Sequence, residues 1–341
     1  MLLRRVTLAA AALSASLSLF LSPDFASAAD SGKLRVVASF SILGDLTARV
    51  GGDDITLHVL VGPGSDAHVY RPTPGDAAAI ADADVIVLNG LGFEGFLDRL
   101  PESADFSGKT VIASDGVTAR TADGEHGSHG IHGGHPEGHD HTGHEDHDAH
   151  DHDAHDHDAH DHRGMDPHAW QDLSNAKIYV SNIARALSDA DPANIEDYKA
   201  RAAALIAEID ALETRTRAAI AAIPEERRII ITNHDAFGYF EDAYGVTFLS
   251  ASGISTDAEP DPKAIAALID VIREEGVTAL FLENLSDNRL ITQISEETGV
   301  AIGGTLYSDA LSGPEGPATS YLAMFAHNVD ALVTAMRGAT N

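Results

Sequence analysis

The chain reads as an α/β protein of two lobes, each with a parallel sheet flanked by helices, joined by one long backbone helix. Three observations predict this. Short β-branched runs alternate with amphipathic helical stretches in the first third of the chain and again in the last third, the pattern of parallel sheets covered on both faces. Between them, 192–223 has no internal Gly or Pro and is rich in Ala, Leu, Glu and Arg. At 1.5 Å per residue that stretch spans roughly 45 Å, more than one small lobe needs. Its apolar spacing holds no strict heptad, so a helix bridging two lobes is preferred to a coiled coil.

In the first lobe the pattern predicts strands at 34–40, 55–61, 85–89 and 110–113, with helices at 42–50, 74–83 and 93–100. The first helix stops at Gly51-Gly52, and the second strand runs into Gly62-Pro63-Gly64. After Trp170 the chain turns helical at 172–187, and then comes the long stretch, which Pro224 ends. The second lobe repeats the alternation: strands at 228–232, 246–250, 279–283 and 300–304, helices at 236–244, 262–275, 289–298 and 320–337. Asp261 is placed to cap the helix that begins at Pro262. Open α/β sheets take ligands beyond strand ends, so a cleft site between the lobes is expected.

The first 29 residues read as a cleavable signal peptide: Arg4 and Arg5 precede an apolar run, and Ala26-Ser27-Ala28 offers small residues for cleavage. The run is short for a membrane anchor and carries several serines. The division expected is signal peptide 1–29, N-terminal α/β lobe 30–172, helical region 173–223 and C-terminal α/β lobe 224–341. Cysteine is absent, which removes disulfides, thiolate zinc sites and a lipid-attachment thiol. A periplasmic protein without a lipid anchor is expected. The net charge of −31 favours cationic ligands and argues against nucleic acid or an anionic membrane as partner.

A low-complexity loop at 123–164 interrupts the first lobe. Fourteen of the nineteen histidines lie between His126 and His162, mostly beside Asp. Neutral imidazole is a strong ligand for zinc, copper and nickel, and interleaved carboxylates draw cations in. With almost no apolar residues the loop is expected to be disordered until metal binds. His139, His141, His144, His147, His150, His152, His155, His157, His160 and His162 are the candidate auxiliary, low-affinity ligands; a solvated linker is the alternative.

Four residues sit just after strand ends or at the loop's close, where a cleft would draw ligands: His68 in GSDAH, His168 in DPHAW, His234 in TNHD and Asp309 in LYSD. Three imidazoles and one carboxylate complete a tetrahedral set suited to zinc. Asp66, Asp172, Tyr239 and Glu283 are candidates for orienting those ligands, with capping or surface roles as the other reading. His58, on a strand, and His327, in the last helix, are read as structural.

The phrases GSDAHVYRPTPGD, MDPHAWQDLSNAKIY, ITNHDAFGYF and TLYSDALSGPEGPATSY together resemble the metal-binding solute receptors of bacterial ABC importers for zinc and manganese. The resemblance covers nearly everything after the signal peptide. It implies that His68, His168 and His234 coordinate metal. It implies Asp309 as a ligand too, as in manganese receptors and in one zinc subgroup served by a separate periplasmic chaperone. Manganese receptors carry Glu at the third position, so His234 favours zinc. The chain departs from many zinc members in lacking a cysteine pair in the second lobe.

The function expected is therefore a monomeric receptor that captures Zn²⁺ in the periplasm and delivers it to an inner-membrane ABC permease with its ATPase. A manganese receptor of the same family, or a histidine-rich periplasmic zinc buffer without transport, are the alternatives. A zinc hydrolase needs an open coordination position and a general base; Glu283 can be offered as the base, but no HExxH motif appears and four protein ligands close the site.

Overall fold

The computed structural model describes residues 32–97, 104–121, 164–256, 262–285 and 287–338. The expected signal peptide, nearly all of the histidine-rich loop with its ten auxiliary histidines, and the expected cap Asp261 lie outside them.

Two parallel four-stranded sheets form, each with helices against it. The first has the order β2-β1-β3-β4 and is built from β1 (Leu34–Phe40), β2 (Ile55–Val61), β3 (Val85–Leu88) and β4 (Lys109–Ile112). The second repeats that order as β6-β5-β7-β8, from β5 (Ile229–Thr232), β6 (Thr247–Ser250), β7 (Ala279–Glu283) and β8 (Ile302–Leu306). The inner strands β1 and β3 are buried almost throughout, whereas the edge strand β2 alternates. This explains why the inner strands read as continuous apolar runs.

Helices α1 (Ser41–Gly51), α2 (Pro74–Ala81), α3 (Leu173–Ala190) and α4 (Ile195–Ala221) belong to the first lobe and the link. Helices α5 (Gly238–Tyr244), α6 (Pro262–Glu275), α7 (Arg289–Thr298) and α8 (Tyr321–Arg337) belong to the second. At 27 residues, α4 extends about 40 Å. Arg201 ties it to the first lobe through the carbonyls of Val50 and Gly51, and Arg217 ties it to the second through the carbonyl of Ala243. One connected apolar core runs from Phe40, Trp170 and Tyr179 to Phe237, Phe240 and Phe325, so the lobes share an interior. A smaller cluster around Ile231, Leu280 and Ile291 fills the outer face of the second sheet.

Two expected elements differ. The helix expected at 93–100 is, in its described part, a 3-10 turn at Gly95–Leu97. The buried Glu94 carboxylate accepts the amides of Asn89 and Gly90 and the Ser39 hydroxyl, and Gly90, Leu91 and Gly92 take positive φ. A buried side chain thus satisfies the amides of the turn that follows β3 and pins a non-helical backbone there. The strand expected at 300–304 lies two residues later. Gly299, left-handed at φ 77°, ends α7, and Gly303 runs so close to Phe281 that a Cβ there would meet its ring at 2.7 Å.

Helix α2 fixes the loop that precedes it. Thr73 and Asp76 form a capping box, and Asp76 also accepts the Tyr70 hydroxyl at 2.9 Å. Burial opposes ionisation of Asp76, but the bonds from Thr73 and Tyr70 outweigh it and hold the carboxyl below its ordinary value. A depressed carboxyl stabilises the fold above its unfolded pKa, and that contribution is lost as pH falls through the folded value. Asp76→Asn should therefore cost about 1 kcal/mol at pH 7. The difference in Tm from the parent should shrink toward pH 3; thermal unfolding at both pH values checks this.

Candidate metal centre

All four ligand candidates come from connections at the C-terminal ends of the strands or, for His168, from the segment entering α3. His68 follows β2, His234 stands two residues after β5, and Asp309 stands three after β8. One ligand atom from each of His68, His168, His234 and Asp309 lies within 4.8 Å of the others. Asp309 is the centre of the group. Its Oδ2 is 3.3 Å from His68 Nε2 and 3.0 Å from His234 Nε2, and its Oδ1 is 3.4 Å from His168 Nε2. With zinc bonds of about 2.0–2.1 Å, two ligands of a tetrahedron stand about 3.3 Å apart.

Burial sharpens the case. The three Nε2 atoms and both Asp309 oxygens are buried and, beyond facing one another, have no well-aligned hydrogen-bond partner. Each such orphan costs about 1–3 kcal/mol, and a cation at their centre would satisfy all of them together. The electrostatics agree. Burial opposes the His234 cation, but Glu283 and then Asp309 hold the imidazole well above its ordinary pKa. Burial likewise opposes the Asp309 anion, while His234 and His168 hold it well below the carboxylate range.

Each histidine is aimed by a carboxylate. Asp166 Oδ1 accepts the His168 amide and sits 2.8 Å from its Nδ1. Glu283 Oε1 accepts the His234 amide at 2.9 Å, and Oε2 is 2.6 Å from His234 Nδ1. Asp66 Oδ1 accepts the His68 amide at 2.8 Å, and its Oδ2 accepts the Thr256 hydroxyl at 2.7 Å. For His168 and His234 the carboxylate lies on the far ring nitrogen, where it fixes the tautomer and raises the basicity of the ligand nitrogen, whereas Asp66 fixes only the His68 backbone. Ser308 joins these supports: its hydroxyl donates to Glu283, and its carbonyl accepts from both Trp170 Nε1 and Gln171 Nε2 at 2.9 Å. Phe93, Trp170 and the three imidazoles pack edge-on around the centre.

Of the four orienting candidates, Asp66 and Glu283 contact ligand residues directly. Tyr239 stands one step further out: its hydroxyl donates to the Asp166 carbonyl and accepts the Arg120 amide. Asp172 caps α3 by accepting the Ser174 amide, the capping role open to it from the sequence. His58 and His327 stay outside the cluster, against Asp76 and the Thr305 carbonyl. Sequence reasoning missed Asp166 and Ser308. The first had a signal, because Asp166-Pro167-His168 repeats the spacing of Asp66-Ala67-His68. Ser308 had none, since its partners are distant in the chain.

A family profile described as "ZnuA: Zinc-uptake complex component A periplasmic" matches residues 36–335. The chain is 31% identical over 315 residues to the manganese-binding lipoprotein MntA of Halalkalibacterium halodurans, covering 92% of each protein. It is 32% identical over 328 residues to the iron ABC transporter substrate-binding lipoprotein MtsA of Streptococcus pyogenes, covering 93% of this chain and 95% of the relative. Among solved structures, the periplasmic zinc binding protein TroA from Treponema pallidum superposes with a TM-score of 0.74 at 26% identity, covering 89% of this chain and 99% of that one. Two four-stranded parallel lobes, one long connecting helix and a match over most of the chain lead to one conclusion: the protein belongs to the ZnuA family of metal-binding solute receptors of ABC importers, which are not enzymes.

Proposed function

We propose that this receptor is a zinc receptor, binding Zn²⁺ through His68, His168, His234 and Asp309 and delivering it to an ABC permease driven by its ATPase. One observation carries the choice of metal: three unpaired imidazole nitrogens surround one buried carboxylate. Nitrogen-rich, four-membered sets suit borderline-soft zinc, whereas manganese prefers more oxygens and a larger coordination number. The names of the relatives, manganese-binding and iron, favour the second reading of a manganese or iron receptor. The rest of the reading is export through the signal at 1–29, action as a monomer in the periplasm without a lipid anchor, and service by a zinc chaperone.

The histidine-rich loop acts in this reading as a low-affinity collector. Thr121 pairs with Met165 where the loop departs and returns, and the Asp166 amide donates to the Arg120 carbonyl, two residues from His168. A tether rooted there raises the effective metal concentration at the site without new contacts.

Three tests follow. Titration calorimetry of the mature protein should give one tight zinc site that survives deletion of 125–163, disappears in His68→Ala and resists excess Mn²⁺. Tight binding that leaves with the loop would make the protein a histidine-rich buffer, and displacement by Mn²⁺ would make it a manganese receptor. Glu283→Gln should weaken zinc about 10–100-fold while leaving the stoichiometry at one. Glu283 and Asp309 hold the metal-free His234 imidazole well above its ordinary pKa, so loading should release a proton and apparent affinity should rise with pH until that proton is lost. Binding heats measured at pH 7 in buffers of different ionisation enthalpy should differ accordingly; equal heats would contradict the proton release.

A further inference from the structure

The carboxylate that orients His168 is shared with a cation. Asp166 is 0% exposed; its Oδ1 faces His168 Nδ1, and its Oδ2 accepts Arg120 Nη1 at 3.3 Å. Glu283, which plays the same part for His234, is bonded by two neutral donors, the Ser308 hydroxyl and the His234 amide. The two histidines are therefore supported unequally, although each faces a buried carboxylate.

The Arg120 guanidinium is built into the fold. Its side chain is only 13% exposed, and its Nε donates to Asp242 Oδ2 on α5 at 3.2 Å. Gly238 begins α5 against it: a Cβ there would stand 2.0 Å from Nη1, so the missing side chain leaves the room that the guanidinium fills. Asp166, by contrast, is held in place without that guanidinium. Its amide donates to the Arg120 main-chain carbonyl, its carbonyl accepts the Tyr239 hydroxyl, and Oδ1 accepts the His168 amide. What the guanidinium adds is charge, and that charge acts in one direction. A carboxylate that bears wholly on Nδ1 strengthens the opposite ring nitrogen as a donor. A guanidinium on the same carboxylate takes part of that effect for itself, and its own charge repels a divalent ion in a buried site.

We propose that Arg120 is an affinity-setting residue that acts through Asp166: by sharing that carboxylate it weakens the bond from His168 to the metal and speeds the ion's release. A receptor that must give up its cargo gains from one loosened ligand among four. Asp242, half exposed, moderates the effect by competing with Asp166 for the guanidinium. The proposal rests on the reading of His168 as a ligand.

Release of Zn²⁺ from the full mature chain into a chromogenic chelator tests it, at chelator concentrations where the rate no longer depends on the chelator. Arg120→Gln should slow release about tenfold. Arg120→Lys, which keeps the charge, should restore most of the parent rate. Asp242→Asn leaves the guanidinium to Asp166 and should speed release about twofold. In the Arg120→Gln background the same Asp242→Asn change should do nothing. A brace without electrostatic effect would speed release in both single variants, and a general surface charge effect would make Asp242→Asn act alike in both backgrounds; either result overturns the proposal. Should Arg120→Gln fail to fold, an unchanged release rate in Asp242→Asn overturns it equally. Calorimetry of His168→Ala separates the two readings. A tight site retained there would defeat His168 as a ligand, whereas a site lost there with release unslowed in Arg120→Gln would defeat the role of Arg120 alone.

Discussion

A fully buried carboxylate, Asp309, sets the terms for the structure around it. An isolated carboxylate in an apolar interior is prohibitively costly, so it persists only where cations or strong donors surround it. Here the surroundings are three imidazoles, one drawn from each of three separate connections. The imidazoles of His168 and His234 are in turn held by the buried carboxylates of Asp166 and Glu283, and Asp66 holds the backbone amide of His68. The result is a cluster whose charges balance best with a divalent cation at the centre.

That cluster requires both lobes at once. Asp309 is supplied by the second lobe, yet the segment carrying it is fastened to the first: Ser41 Oγ accepts the Leu311 amide and the Gly64 amide donates to the Leu311 carbonyl. Tyr321 at the start of α8 donates its amide to Asp45 on α1 and its hydroxyl to the Trp170 carbonyl. With a shared apolar core and α4 bound to both sides, large opening of the lobes would expose apolar surface and break buried polar bonds together. The Asp66–Thr256 bond is a further link between connections of the two lobes.

Much of the site was legible before any fold was known, because ligand chemistry selects few residue types. His68, His168, His234 and Asp309 each stand in a short, polar phrase after a strand or at a loop's end, and the structure brings all four together. The supports were harder to read. Glu283, at the end of an apolar strand, was one candidate among four, and its partner His234 became legible only because β7 ends beside β5. Ser308 and Gln171 are more than 130 residues apart, so nothing local marks their bond. In its described part the stretch expected as a helix at 93–100 forms a 3-10 turn for a related reason: Glu94 bonds Ser39 and the amide after β3, a non-local option that periodicity does not contain.

By itself the sequence determined the alternation of strands and helices, the unbroken stretch that became α4, the histidine-rich insertion and the residue types able to bind a metal. These are local properties, encoded in spacing, propensity and donor chemistry along neighbouring residues. Only the tertiary structure decided that the two sheets share one core, that Asp309 sits among three imidazoles, and that the far nitrogens of His168 and His234 each face a carboxylate. Those outcomes depend on the register of parallel strands and on contacts across more than a hundred residues. Hydrogen bonds and buried charges are satisfied in space, and a linear pattern holds no record of which distant partner will satisfy them.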